Sequence, residues 1–215
     1  IRISLNAPEL FLTQLRAILQ AGARHPVRIM FPMIATVEEI WKARSLLEKA
    51  HQSLQSGKLA HAWPVETGIM VEVPSAAVLS PVLAREVDFF SIGTNDLTQY
   101  TLAAERGSPE LAGLADAMHP AVLQLIESVA AAAHAEGKWV GVCGELAGDP
   151  EAAAVLIGLG IDELSLNPGR IPAIKDIVRK IDSREAEALV AEALKCQNAQ
   201  QVREKTAAYL QNLTH

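Results

Sequence analysis

The fold is decided by the stretch Asp88–Tyr100, which reads DFFSIGTNDLTQY. Phe89, Phe90 and Ile92 are apolar and lack helical spacing, so they predict a buried strand. A glycine and three polar residues follow, and then the chain turns into a helix. A buried strand that ends in polar side chains is typical of a parallel sheet whose carboxyl edge carries the chemistry.

The same alternation of strand and helix runs along the chain. We predict strands at 27–33, 67–73, 89–92, 138–143 and 162–166, and helices at 8–23, 36–55, 75–85, 97–102, 119–135, 150–159, 171–180, 183–194 and 199–213. This order requires an α/β fold, with a parallel sheet and helices packed outside it. The short polar strand exits, and the lack of a Gly-rich dinucleotide motif or a P-loop, favour a (β/α)8 TIM barrel over an open sheet.

The number of strands predicts an incomplete barrel. A TIM barrel needs eight strands, and about five β/α units are recognisable here. The chain ends in helices, so we expect it to carry the last five units and the first strands to precede Ile1.

Composition narrows the class of protein. The net charge is −6 with no basic run, which argues against a nucleic-acid-binding surface. We find no signal peptide and no apolar run long enough to span a bilayer, so no membrane association is expected. Cys143 and Cys196 lie far apart and form no CxxC pair, which favours a reduced, cytoplasmic setting.

Polar side chains stand near the carboxyl ends of two predicted strands, at Glu72 within 67–73 and at Asn95-Asp96 after 89–92. Glu72 and Asp96 could share one divalent cation, since Mg²⁺ typically takes one or two carboxylates and fills its other positions with water and substrate oxygens. The alternative for Glu72 is a carboxylate that interacts with the dipole of the next helix. The alternative for Thr94, Asn95 or Asp96 is a side-chain cap on the helix that follows.

Cys143 and Arg106 complete the candidate set. A lone strand-end cysteine is usually a small apolar core residue, but a thiol with an ordinary pKa of about 8.5 can also donate a proton to an enolate. Arg106 could reach back over the third strand and grip a phosphate bidentately. Its alternative role is a solvent-exposed partner of Glu105 or Glu110.

Four segments resemble the phosphoenolpyruvate (PEP)-utilising enzymes. They are FPM at 31–33, MVEVP at 70–74, SIGTNDLTQYTLAAER at 91–106 and GVCGELAG at 141–148, in the same order as in the family. The resemblance covers nearly the whole chain. It is strongest to Enzyme I of the bacterial sugar phosphotransferase system and to the equivalent module of multiphosphoryl transfer proteins.

The resemblance implies a fold, a cofactor and a role for each candidate residue. Residues 1–215 would be the C-terminal part of a PEP-binding TIM barrel of the phosphoenolpyruvate/pyruvate type, without its first strands and without the phosphohistidine domain. Glu72 and Asp96 would hold Mg²⁺, and Asn95, Asp96 and Arg106 would bind PEP. Cys143 would protonate the enolpyruvate to give pyruvate.

The resemblance also implies an activity and partners. The phosphoryl group of PEP would pass to a protein histidine on a separate domain and then to the histidine phosphocarrier protein, for carbohydrate uptake. Such an enzyme would be a cytoplasmic homodimer. None of the histidines of this chain lies in the Gly-rich context of the family's phosphorylated histidine, so we expect the chain alone to be inactive.

Two alternatives remain. One is a pyruvate-phosphate dikinase or PEP synthase, which the Asn95–Arg106 signature disfavours. The other is a non-catalytic dimerisation or regulatory module, which is at odds with the joint presence of the candidate site residues.

Overall fold

The computed structural model describes residues 1–105, 107, 111 and 113–213. Within that part, the strands are β1 (Arg28–Phe31), β2 (Glu66–Val71), β3 (Phe89–Gly93), β4 (Trp139–Cys143) and β5 (Glu163–Ser165). The helices are α1 (Arg2–Asn6), α2 (Pro8–Ala21), α3 (Val37–Ser56), α4 (Pro74–Val78), α5 (Ser80–Leu83), α6 (Thr94–Leu102), α7 (Pro120–Ala135), α8 (Ala152–Gly158), α9 (Ile171–Val178), α10 (Ser183–Ala193) and α11 (Ala199–Asn212). Short 3₁₀ helices cover Leu146–Gly148 and Pro168–Arg170.

The strands lie in the sheet in chain order, from β1 to β5, and every neighbouring pair is parallel. A doubly wound open sheet would reverse its strand order at a switch point, whereas consecutive units of a (β/α) barrel do not. The expected fold class, an α/β chain that carries five consecutive units of such a barrel, is confirmed. All five predicted strands are present, each displaced by a few residues at most.

The core between sheet and helices is aliphatic, and its residues follow the period of each element. Strand β3 buries Phe90 and Ile92, and helix α3 buries a stripe spaced by three or four residues: Ile40, Ala43, Leu47, Ala50 and Leu54. Burying one large aliphatic side chain contributes about 1.5–3 kcal/mol, so these stripes fix how the helices dock. A capping box starts α3, with the Glu39 carboxylate accepting from the N–H groups of Ala35 and Thr36.

Several helices differ from the prediction for local reasons. The predicted helix 75–85 is divided into α4 and α5, because Pro81 has no N–H to donate to the preceding turn. The predicted helix 150–159 begins only at Ala152, and the Asp149 carboxylate accepts from the Glu151 N–H just before it. The entry segment 1–6 contains the short helix α1. No helix in the described ranges is both long enough and apolar enough to cross a membrane.

Candidate active site

The carboxyl ends of β2, β3 and β4 meet at one edge of the sheet. In the register of the sheet, Gly93 at the end of β3 is paired with Cys143 at the end of β4. Glu72 directly follows β2, and Asp96 lies in the first turn of α6, which leaves β3 without a loop. The structure therefore brings Glu72, Asp96 and Cys143 to the same place.

Glu72 is the most buried of the three residues Glu72, Asp96 and Cys143. Glu72 is only 4% exposed, and its Oε1 accepts a hydrogen bond of 2.6 Å from the Met33 N–H. Asp96 hydrogen-bonds the same carboxyl group. Helix α4, which follows Glu72, has no side-chain cap and no acidic residue in its first turn. The contacts of Glu72 thus point into the site, not to the start of α4.

The backbone of Met33 is shaped for this contact. Its φ is +54°, a left-handed conformation that is uncommon for a non-glycine residue. Such conformations cost about 1–3 kcal/mol and recur at functional sites. The bond from the Met33 N–H to Glu72 is one of the interactions that hold this conformation.

The two carboxyl groups suit a divalent cation. Burial raises the pKa of Glu72, the Met33 N–H opposes this rise, and the nearby charge of Asp96 adds to it. Two carboxylates in contact repel each other unless a proton or a cation lies between them. Among the described residues, no group of three or more His, Cys, Asp or Glu side chains is arranged to hold a metal ion. A pair of hard oxygen donors fits Mg²⁺, which takes its remaining ligands from water and substrate.

The polar turn after β3 joins the site to the neighbouring strand. Thr94 Oγ1 donates to the Cys143 carbonyl at 2.9 Å, and Asn95 Oδ1 accepts from the Glu145 N–H at 3.1 Å. Helix α6 has no side-chain cap at its N-cap, Gly93. Thr94 and Asn95 thus hydrogen-bond the end of β4 and the residue after Gly144, and not the first N–H groups of α6.

Glycine is required where the loop after β4 crosses this turn. Gly144 has a φ of +101°, and a Cβ atom there would lie 2.7 Å from Thr94 Oγ1 and 2.9 Å from Asn95 Oδ1. An L side chain would meet both backbone strain and collision. The close approach of the two turns depends on this glycine.

Cys143 is half-buried, and its thiol lies beside the carboxyl pair. Its Sγ donates to the Ile92 carbonyl at 3.5 Å. Burial raises the pKa of Cys143, a hydrogen bond from Ser91 opposes the rise, and the charges of Glu72 and Asp96 add to it. The pKa lies above the ordinary thiol value, so the sulfur is protonated at neutral pH and can act as an acid.

Arg106, predicted to bind phosphate, lies outside the described residues, as do residues 108–110 and 112. Ser91, whose hydroxyl opposes the rise in the pKa of Cys143, is not among the residues predicted from the sequence, although it is the only polar residue of β3 and this pattern could have drawn attention to it.

A family model described as "PEP-utilising enzyme, PEP-binding domain" matches residues 1–183. The chain belongs to the PEP-utilising enzymes. It is 44% identical over 212 residues to the phosphoenolpyruvate-protein phosphotransferase of Staphylococcus carnosus (strain TM300), a match that covers 99% of this chain and 37% of that protein. It is 52% identical over 203 residues to the multiphosphoryl transfer protein of Rhodobacter capsulatus, covering 94% of this chain and 24% of that protein.

This PEP-utilising chain thus spans between 24% and 37% of the length of these two relatives. Among solved structures, a citrate lyase from Burkholderia xenovorans LB400 is similar, with a TM-score of 0.59 and 20% sequence identity. The alignment covers 94% of this chain and 68% of the citrate lyase chain. At that identity the likeness concerns the fold alone.

Proposed function

We propose that this chain is the C-terminal, PEP-binding part of a phosphoenolpyruvate–protein phosphotransferase of the sugar phosphotransferase system. In the whole enzyme the phosphoryl group of PEP passes to a protein histidine, and pyruvate is released. The observation that supports this most directly is the contact between the carboxyl groups of Glu72 and Asp96 beside the thiol of Cys143. The two relatives, a phosphotransferase and a multiphosphoryl transfer protein, favour a phosphotransferase over a dikinase or synthase.

In this proposal the carboxylates of Glu72 and Asp96 hold Mg²⁺. When bound, the ion would offset the negative charge of the PEP phosphate and carboxylate. The Asn95 amide oxygen is held by the Glu145 N–H, which leaves the amide NH₂ group as the donor end toward a substrate oxygen. Arg106 adds bidentate hydrogen bonds to the phosphate.

Cys143 acts as the proton donor. After the phosphoryl group leaves, the methylene carbon of the enolpyruvate takes the proton of the thiol, so that a C–H bond forms as the S–H bond breaks. The product is pyruvate, and the thiolate regains its proton from solvent. A thiol whose pKa is raised by burial is fully protonated before the step, which is what a general acid requires.

The acceptor histidine belongs to a separate domain. Histidines of this chain have local structural partners: His119 accepts from the Ala121 N–H at 3.2 Å, and His134 hydrogen-bonds Asp162 at 2.9 Å. The proposal includes onward transfer to the histidine phosphocarrier protein, a homodimeric state and a cytoplasmic location. This chain alone, given PEP and Mg²⁺, should form no phosphohistidine, and a labelled histidine would contradict the assignment.

The metal and PEP site is tested with Mn²⁺ as a paramagnetic probe. Water-proton relaxation should report Mn²⁺ binding that is strengthened by PEP. Glu72→Gln and Asp96→Asn should each weaken this binding by ~10-fold or more, since each removes one of two carboxylate donors. Glu66→Gln is the matched control, because Glu66 lies at the other end of the same strand and pairs with the exposed Arg28. If the site variants bind as well as the control, the proposed site is wrong.

The proton-donor role is tested in a polypeptide that joins this chain to the phosphohistidine domain. Cys143→Ala should stop pyruvate formation while leaving PEP binding and the fold intact. Unchanged pyruvate production would remove Cys143 from the mechanism.

A further inference from the structure

Arg203 lies on α11, beyond residues 1–183 that match the family model. Its guanidinium binds three carboxylates at once. Nε and Nη2 donate to the two oxygens of Asp116 at 2.6 and 2.9 Å, and Nη1 donates to Asp149 at 3.0 Å and to Glu151 at 2.9 Å. We call these four side chains the Arg203 clamp.

The clamp joins the segments that leave two neighbouring strands. Asp116 lies between α6 and α7, in the segment that follows β3, and its Oδ1 also accepts from the Met118 N–H at 2.9 Å. Asp149 and Glu151 lie between β4 and α8. One cation from α11 therefore ties together the part of the β3–α7 segment that the structure describes without a gap (residues 113–119) and the β4–α8 segment (residues 144–151).

Both segments belong to the candidate active site. The 3₁₀ helix between Glu145 and Asp149 is held at its first end by the bond from the Glu145 N–H to Asn95, and at its second end by the clamp. A cavity of about 360 Å³ lies between the two segments, and its walls include Asn95, Glu145, Asp116, Asp149 and Arg203.

The clamp is partly buried and unbalanced in charge. The side chains of Arg203, Asp116 and Asp149 are 29%, 25% and 25% exposed. A bidentate arginine–carboxylate pair at such a site is stronger than an exposed ion pair. Hydrogen bonds to Asp116, and then those to Asp149 and Glu151, raise the pKa of Arg203 against the effect of burial. Without Arg203, three carboxylates would face one another, and their repulsion would separate the two segments.

We propose that Arg203 is a positioning residue for the PEP site: its guanidinium holds the β3–α7 and β4–α8 segments in the relative placement that aligns Asn95 with Cys143. The effect on PEP rests on the proposed function. The ordering of the two segments does not depend on that function.

Hydrogen exchange tests the ordering on this chain. Arg203→Gln should speed amide exchange in residues 113–118 and 144–151 by ~10-fold or more, because it removes several charge-assisted hydrogen bonds. Exchange in the central strands β2 and β3 should stay unchanged. Lys205→Gln is the matched control: it removes the same charge from the same helix, where only a 3.9 Å exposed contact with Glu192 is lost. If Arg203→Gln and Lys205→Gln give the same exchange in the two segments, the proposal is overturned.

Kinetics test the consequence for PEP, in a polypeptide that also carries the phosphohistidine domain. Arg203→Gln should raise KM for PEP by ~10-fold or more with a smaller change in kcat, because the binding groups are misplaced while the proton donor remains. Arg203→Lys, which keeps the charge but not the planar fork, should restore part of the loss. Asp116→Asn disrupts only the bidentate pair of Arg203 with Asp116 and leaves its bonds to Asp149 and Glu151, so it provides a second, milder variant.

The outcomes separate the two proposals. If the wild type neither binds nor turns over PEP, the proposed function fails. Hydrogen exchange then remains the test of whether Arg203 orders the two segments. If the wild type uses PEP and both Arg203→Gln and Asp116→Asn match Lys205→Gln in KM, the positioning role is refuted while the proposed function stands. Equal losses in Arg203→Lys and Arg203→Gln, with exchange raised across the whole sheet, would assign Arg203 to general stability and also refute the proposal.

Discussion

Replacing Gly144 by alanine should destabilise the fold and weaken PEP binding together. The φ of +101° would cost an L residue about 1–3 kcal/mol. The new Cβ would lie 2.7 Å from Thr94 Oγ1 and 2.9 Å from Asn95 Oδ1, so both side chains must move. Each would lose a hydrogen bond worth about 0.5–1.5 kcal/mol, to the Cys143 carbonyl and from the Glu145 N–H respectively.

These terms sum to about 2–6 kcal/mol, which for a chain of this size corresponds to a fall in Tm of about 5–20 °C. Urea unfolding monitored by circular dichroism measures the change in the free energy of unfolding. The displaced Asn95 should at the same time weaken the effect of PEP on Mn²⁺ relaxation, because its amide no longer faces the ligand.

Gly137→Ala is the control that separates backbone strain from collision. Gly137 follows the end of α7 with a φ of +67°, and a Cβ there would meet nothing within 4 Å. Gly137→Ala should lower the free energy of unfolding only by the strain of a left-handed backbone at an L residue, about 1–2 kcal/mol. It should leave PEP binding unchanged. If Gly144→Ala is no more destabilising than Gly137→Ala, or if it leaves PEP binding intact, the packing of the turn against Asn95 is not what the structure indicates.

Three further predictions concern single residues. Burial raises the pKa of Cys143, so the rate of its alkylation by iodoacetamide, followed by mass spectrometry, should increase with pH and show an inflection above about 8.5. An inflection at or below that value would contradict the raised pKa. Burial alone would raise the pKa of Asp116, but hydrogen bonds from Arg203 and from a backbone N–H bring it below the ordinary value. The stability that Asp116 contributes is therefore present above its unfolded pKa of about 3.9 and is lost as the pH falls through the lower, folded value. In Asp116→Asn the free energy of unfolding should fall less steeply as the pH is lowered. An unchanged slope would argue against the clamp. Gly158→Ala would place a Cβ 2.2 Å from the Ala186 carbonyl oxygen in α10, so urea unfolding should show a loss of about 3 kcal/mol, and a loss below about 1 kcal/mol would mean that α8 and α10 are less closely packed.

Much of the fold could be predicted because the signals are local. Strands β2, β3 and β4 are largely apolar and are followed by polar residues, and the capping box at Thr36 and the turn at Gly137 mark helix ends within four residues of chain. The break in the predicted helix 75–85 could have been anticipated from Pro81, since a proline inside a helical pattern removes a backbone donor. The exact start of α6 at Thr94 could not, because no side chain caps it.

The candidate site divides in the same way. Glu72, Asn95, Asp96 and Cys143 each stand at the end of a predicted strand, and parallel strands bring such ends to one edge whatever the details of packing. The contacts between these groups depend on the register between strands. Asp96 hydrogen-bonds Glu72, and Asn95 accepts a hydrogen bond from Glu145 and not from its own helix. Their roles in catalysis stay predictions until the variants are measured.

By itself, the sequence determined the alternation of strands and helices, the five-strand parallel sheet and the candidate residues at the carboxyl ends of its strands. It could do so because hydrophobic period and turn chemistry act over a few residues. Only the tertiary structure decided the contacts that cross the chain. Arg203 meets Asp116 and Asp149 across 87 and 54 residues, a separation over which no local pattern extends. Such a pairing exists only after the helices have packed, because packing is what places a guanidinium from the last helix between two loops at the edge of the sheet.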